Sequence, residues 1–240
     1  MCGLVGAIVQ NNVTPILIEA LERLEDGDYV SAGVAVVNRQ RRMRINRQVG
    51  EVGELRRSFD GAVVVGNSLG IGYARWATHG ELAEHNVPPH VSCNEIAVVH
   101  NGAIENHETL KRDLEGKGYR FRSDTDTEVI AHLIHLYLTP SHSLLDAVCV
   151  AVQKLEGAFA VAVLAVSEPE TLVVARSGSP LVIGVGESEQ YVASDVAALL
   201  PVTRRLIFME DGDVAELKPG NISIVDDSGQ VAVRPLRDLR

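Results

Sequence analysis

Four short stretches hold the residue types that carry out chemistry near neutral pH. Cys2 is the second residue of the chain. An initiator methionine is commonly trimmed when the next side chain is as small as cysteine. Removal of Met1 would leave a thiol and a free α-amine on one carbon. Such an amine titrates at about 7.7–8, so it can take the thiol proton without being buried. A thiol with a base in reach is an activated nucleophile, and an N-terminal amine serving its own side chain is one form of it. Arg75-Trp76-Ala77-Thr78-His79-Gly80 crowds polar functions into one turn behind a strand. Arginine there can hold a carboxylate through two parallel hydrogen bonds, or pair with a structural acid. His100-Asn101-Gly102 suits an oxyanion hole, the Asn101 amide and the Gly102 N–H aimed at one oxygen. The same Asn-Gly pair also suits a tight turn that needs positive φ. Asp124-Thr125-Asp126-Thr127-Glu128 opens a helix, where carboxylates cap the end and offset its dipole. A carboxylate there can also pair with a substrate ammonium.

These stretches act together only if the surrounding elements converge on them. The apolar run 4–9 predicts a buried strand right behind the cysteine, anchoring an end that otherwise frays. That strand is predicted over 3–10. Thr14-Pro15 predicts an N-cap and a proline in the first helical position, with Ile16, Leu17, Ala20, Leu21 and Leu24 on one face. Asp26-Gly27-Asp28 ends that helix. A second strand is predicted over 32–37, and 41–60 reads as a mixture of strand edge, turn and short helix. Apolar residues recur over 61–65 and 69–73. A short buried strand over 95–99 is predicted to end in His100-Asn101-Gly102. Helices are predicted over 107–117, 125–138 and 144–155, the second opened by a capping box of Thr125 and Glu128. From 158 to 233 eight short apolar runs, parted by Gly, Pro, Asp and Asn, have the spacing of an antiparallel meander. Strands in both halves with helices bunched between them predict a layered α+β fold, with 1–240 as one domain.

Composition narrows the function. The 240 residues carry a net charge of -10, which argues against nucleic acid or an anionic membrane as the main partner. The longest apolar run, 158–166, is too short to span a bilayer, and the start lacks an export signal. Cys2, Cys93 and Cys149 show no CxxC spacing, so neither a metal site nor a disulfide framework is indicated. A reducing, cytoplasmic setting fits. No G-x-G-x-x-G leads from a strand into a helix, so no dinucleotide cofactor is expected.

Taken together, the four stretches make the chain resemble the glutaminase domain of class II glutamine amidotransferases, which are N-terminal-nucleophile hydrolases. The resemblance rests on Met1-Cys2-Gly3-Leu4-Val5-Gly6, the run 75–80, Val98-Val99-His100-Asn101-Gly102-Ala103-Ile104-Glu105-Asn106 and the run 123–132. Later runs, Ala175-Arg176-Ser177-Gly178-Ser179-Pro180, Ala193-Ser194-Asp195 and Leu200-Pro201-Val202-Thr203-Arg204-Arg205, look like the glucosamine-forming branch of that family. The resemblance implies a four-layer αββα sandwich of two mainly antiparallel sheets. It implies Cys2 as nucleophile and, through its amine, as base. Asn101 and Gly102 would form the oxyanion hole. Arg75 would hold the α-carboxylate of L-glutamine and Asp126 its α-ammonium, with Trp76, Thr78 and His79 lining the pocket. It implies no cofactor. It also implies a partner domain, a sugar-phosphate isomerase binding fructose 6-phosphate, which this 240-residue sequence does not include.

Three positions depart from the family pattern. Gly27 stands where an arginine is usual, Val30 where an aspartate is usual, and Pro88 where a histidine is usual. Lost charge near a small polar ligand suggests weaker glutamine binding. The alternative reading is therefore a catalytically impaired glutamine-binding or interaction domain.

Overall fold

A computed structural model describes residues 3–24, 29–59, 67–76 and 83–239. Its first half runs β1 (Gly3–Ile8), α1 (Thr14–Leu24), β2 (Tyr29–Asn38), β3 (Met43–Val49), α2 (Val52–Phe59), β4 (Asn67–Trp76), β5 (His90–Ser92) and β6 (Ile96–Ile104). Three helices follow, α3 (His107–Gly116), α4 (Thr127–Tyr137) and α5 (Leu144–Val152). Then come β7 (Gly157–Ala165), β8 (Leu172–Ser177), β9 (Val182–Val185), β10 (Gln190–Ala193) and β11 (Arg205–Phe208). The chain closes with β12 (Val214–Lys218), β13 (Asn221–Val225), β14 (Val231–Ala232) and β15 (Leu236–Asp238).

The strands form two antiparallel sheets, in the orders β15-β11-β9-β10-β1-β4-β2-β3 and β14-β13-β12-β8-β7-β6-β5. Three apolar cores follow from the alternation of side chains across each sheet. Leu4, Ile8, Leu69, Ile71 and Tyr73 meet Ala97, Val99, Leu164 and Leu172 between the sheets. Val5, Val34 and Ala74 turn outward under Leu17 and Leu21 of α1 and Leu55 of α2. Ile96, Val98, Val161 and Val163 turn outward under α4 and α5. Helix, sheet, sheet and helix thus stack as the four-layer αββα sandwich that the resemblance implied.

The first strand lies in the interior of the first sheet. β1 lies between β4 and β10, with Gly3 opposite Ala74 and Val5 opposite Ala193. The later strands are not the single meander their spacing suggests. β7 and β8 pair in one sheet, β9 to β11 cross to the other, and β12 to β14 return. Spacing reports turns, and it is silent on which sheet a strand joins.

Helix starts also differ from expectation. Residues 125 and 128 form no capping box. The amide N–H of Arg122 and the N–H and hydroxyl of Ser123 turn the Glu128 carboxylate away from its own helix end. The box occurs instead at Ser143 and Asp146 of α5. In α1 the helix already includes Thr14, whose N–H donates to Asn12 Oδ1 at 3.2 Å. The mixed reading of 41–60 resolves into β3 and α2. The stop at 26–28 and the apolar run 61–65 lie outside the described residues.

Candidate active site

β6 is the scaffold of the site, and it is longer than expected. It runs through His100-Asn101-Gly102 to Ile104, with Asn101 opposite Ala160 and Gly102 opposite Phe159 on β7. The tight turn that competed for Asn-Gly is therefore absent. β5 pairs only with residues 96–98, so among the described residues no strand covers the other edge of β6 from 99 to 104. In an antiparallel ladder alternate N–H groups face the same edge. The Ile104 N–H faces the open edge, where it donates to Asp126 Oδ2 at 2.8 Å. The next N–H, of Glu105, donates to Glu156 O on the β7 side at 2.8 Å. Alternation turns the Gly102 N–H to the open edge as well, beside Asp126. Only glycine fits there. Its φ is +134°, and a Cβ would stand 2.0 Å from the Ala158 carbonyl oxygen.

Side-chain alternation places the other groups. Ala97 and Val99 point between the sheets, so Asn101 does too. On the facing sheet Leu69, Ile71 and Tyr73 of β4 point the same way, and Arg75 continues their row. Arg75 and Asn101, both half-buried, thus project from opposite sheets into one intersheet space. Cys2, Thr78 and His79 lie outside the described residues, as does the Trp76 side chain. β1 nonetheless begins at Gly3, opposite Ala74 and one residue from Arg75 in register.

His100 points the other way, under α4. It is fully buried, with Nδ1 3.3 Å from Thr127 Oγ1 and 3.8 Å from Asp126 Oδ1. Burial pushes its pKa down, partly opposed by Asp126, and keeps the imidazole neutral. Asp126 stands at the N-cap of α4 yet does not cap it. Its carboxylate is committed to the end of β6 instead.

The segment behind Asp126 is fastened to two others. Glu128 accepts from the N–H and hydroxyl of Ser123, each at 2.7 Å, and from the Arg122 N–H at 3.0 Å. Burial by itself would raise this carboxyl. His132, 3.5 Å away, and the Ser123 and Arg122 donors outweigh it and bring the pKa down to about 2. Asn86 Oδ1 accepts from the Asp124 N–H at 2.9 Å, and Thr125 Oγ1 meets His90 Nε2 at 2.9 Å. Burial holds the His90 pKa near 4. The departure at Pro88 falls in this fastened stretch. The Pro88 carbonyl packs on Gly33, where a Cβ would come within 2.1 Å, and the Pro89 carbonyl accepts from Arg47 Nε at 3.1 Å. The chain thus accommodates proline there through backbone contacts. Sequence reasoning missed Asn86, His90 and Glu128 as supports. The one signal was an Asn-to-His run close to two prolines. Gly27 and the Val30 side chain lie outside what is described.

Among the described residues, no group of three or more His, Cys, Asp or Glu could hold a metal ion. A cavity of about 660 Å³ among them is lined by none of Arg75, Asn101, Gly102 or Asp126. No helix among them is long and apolar enough to cross a membrane.

The family described as "Glutamine amidotransferase domain" matches residues 75–201. The chain is 52% identical over 98% of its length to a protein of Idiomarina loihiensis named "Glutamine--fructose-6-phosphate aminotransferase [isomerizing]". It is 51% identical over 99% of its length to a Vibrio vulnificus protein of the same name. It spans only 38% and 39% of those two relatives. Among solved structures, the glutamine phosphoribosylpyrophosphate amidotransferase of B. subtilis superposes with a TM-score of 0.80 at 26% identity, over 96% of this chain and 50% of that one.

Proposed function

The chain belongs to the glutamine amidotransferase domain family, and from that premise we propose that it hydrolyses the side-chain amide of L-glutamine to glutamate and ammonia. The observation that carries the reading is the open edge of β6. The Gly102 N–H turns to it, Asp126 is fixed to it through Ile104, and Asn101 beside it faces the row of Arg75. That arrangement offers an anion grip, a cation grip and two oxyanion donors within one short region.

In this reading Arg75 holds the substrate α-carboxylate with paired hydrogen bonds, and Asp126 holds the α-ammonium. Trp76, Thr78 and His79 line the pocket. The α-amine of Cys2 takes the thiol proton, and the thiolate attacks the amide carbon. The carbonyl oxygen gains the charge, stabilised by the Asn101 amide and the Gly102 N–H. The Cys2 ammonium returns its proton to the departing nitrogen, which leaves as ammonia. A γ-glutamyl thioester remains. Water, deprotonated by the same amine, cleaves it to glutamate and restores the thiol. Neither metal nor cofactor enters these steps.

We read residues 1–240 as one glutaminase unit, since β1 to β4 and β9, β10, β11 and β15, from opposite ends of the chain, share one sheet. The curated relatives are more than twice as long and are named for fructose 6-phosphate. The ammonia is accordingly assigned to glucosamine 6-phosphate synthesis by an isomerase domain, in the cytoplasm.

The test joins intact mass with turnover. Loss of Met1 and steady glutamate release, abolished in Cys2→Ala, are expected. Glutamate release that survives Cys2→Ala, or glutamine binding without any ammonia, would overturn the reading.

A further inference from the structure

We infer that the cleft between the β3 edge, the turn joining β5 to β6 and the start of α4 binds a small phosphorylated metabolite. The cleft is about 660 Å³, within the roughly 300–1,000 Å³ range of small-molecule sites. Arg47, Lys117, Arg120 and Arg122 line it against one carboxylate, Glu128. That carboxylate accepts from the Arg122 and Ser123 N–H groups and the Ser123 hydroxyl, and its one negative charge faces four positive ones.

The placement of the arginines follows from the packing of their neighbours. Residues 119–123 lead into α4 outside any helix or strand, with Arg120 and Arg122 exposed and Tyr119 and Phe121 half-buried. Tyr119 and Phe121 turn inward and pack on the His132 ring, with centroids 4.9 and 4.7 Å apart. Arg120 and Arg122 therefore turn outward. Among the described residues the side chains of Lys117, Arg120 and Arg122 make no ion pair and no hydrogen bond. In a chain of net charge -10, four cations lining one cleft against a single lining carboxylate focus positive potential in one concave place. His132, 4% exposed, stands in the same wall with Nε2 3.5 Å from Glu128 Oε1.

A phosphate monoester suits this lining better than a carboxylate. Its three terminal oxygens can each accept from a different cation, whereas a carboxylate has two. Ile45 and Leu136 in the wall suit the carbon skeleton of an ester. The acidic remainder of the surface disfavours a long polyanion such as nucleic acid.

Calorimetric titration of the full chain with glucose 6-phosphate, inorganic phosphate and glucuronate tests the assignment without relying on glutamine turnover. Saturable binding of glucose 6-phosphate is expected, weaker binding of inorganic phosphate, and weaker still of glucuronate. In Arg120→Ala/Arg122→Ala, with an unchanged thermal midpoint, affinity for glucose 6-phosphate should fall at least tenfold. Lys117→Glu should weaken it as well, which covers failure of the double variant to fold. Absence of saturable binding, a preference for glucuronate, equal affinity for free phosphate, or unchanged affinity in the variants overturns the inference.

Discussion

Gly102 meets two demands at once. Its N–H must face the open edge of β6, and its backbone must lie against the Ala158 carbonyl, closer than any Cβ allows. Gly102→Ala should destabilise by about 1–3 kcal/mol from the positive φ alone, with more from the clash. It should also reduce glutamate release by ~10²–10³-fold through the displaced donor. Denaturation and initial rates on the same sample measure both. In the proposed reading Arg75 acts in substrate binding and not in the chemistry. Arg75→Ala removes a charged grip of about 1.5–3 kcal/mol, so KM should rise by roughly ten- to a hundredfold while kcat changes less. A fall confined to kcat would place Arg75 in the chemistry and not in substrate binding.

The element that holds Asp126 is the N-terminal end of α4 with the chain leading into it. Its stability is tied to two groups with opposite charge preferences. The unfolded chain protonates His90 near the ordinary 6.5, the folded chain only near 4. The unfolded state therefore binds more protons in that window, and stability falls as pH drops from 6.5 to 4. Glu128 stays ionised when folded down to about 2, whereas the unfolded carboxyl protonates near 4.5. Its contribution is present above 4.5 and is lost as pH falls toward 2. Urea midpoints across pH should show both limbs, and His90→Gln should flatten only the upper one. Glu128→Ala strands the Arg122 and Ser123 donors in a buried place, at a cost of about 3 kcal/mol. Glutamine affinity should drop with it, since Asp126 lies on the same turn.

Across the whole molecule, both sheets are assembled from distant parts of the chain, and β1 is the seam. Leu4 is fully buried between the sheets, and its N–H donates to Ser194 Oγ at 3.1 Å. Leu4→Ala should cost about 3 kcal/mol, in the range found for buried leucine truncations. The loss should appear as a shift of one cooperative transition, since the three cores share strands. Two separate transitions, one sheet melting before the other, would contradict this account.

Local structure was legible in the sequence because it depends on near neighbours. The run 4–9 reads as buried strand from its unbroken apolar residues, α1 from its helical spacing, and Asn101-Gly102 and Asp126 stand out as candidate site residues from type and context. What the tertiary structure decided is the partner of each group. Thr125 and Glu128 have the spacing of a capping box, yet Glu128 bonds to Ser123 and Arg122, and Thr125 to His90. Asn-Gly has the composition of a turn, yet β7 holds it extended. Eight evenly spaced strands divide between two sheets because each needs an apolar face to cover, and spacing along the chain does not record which face is free.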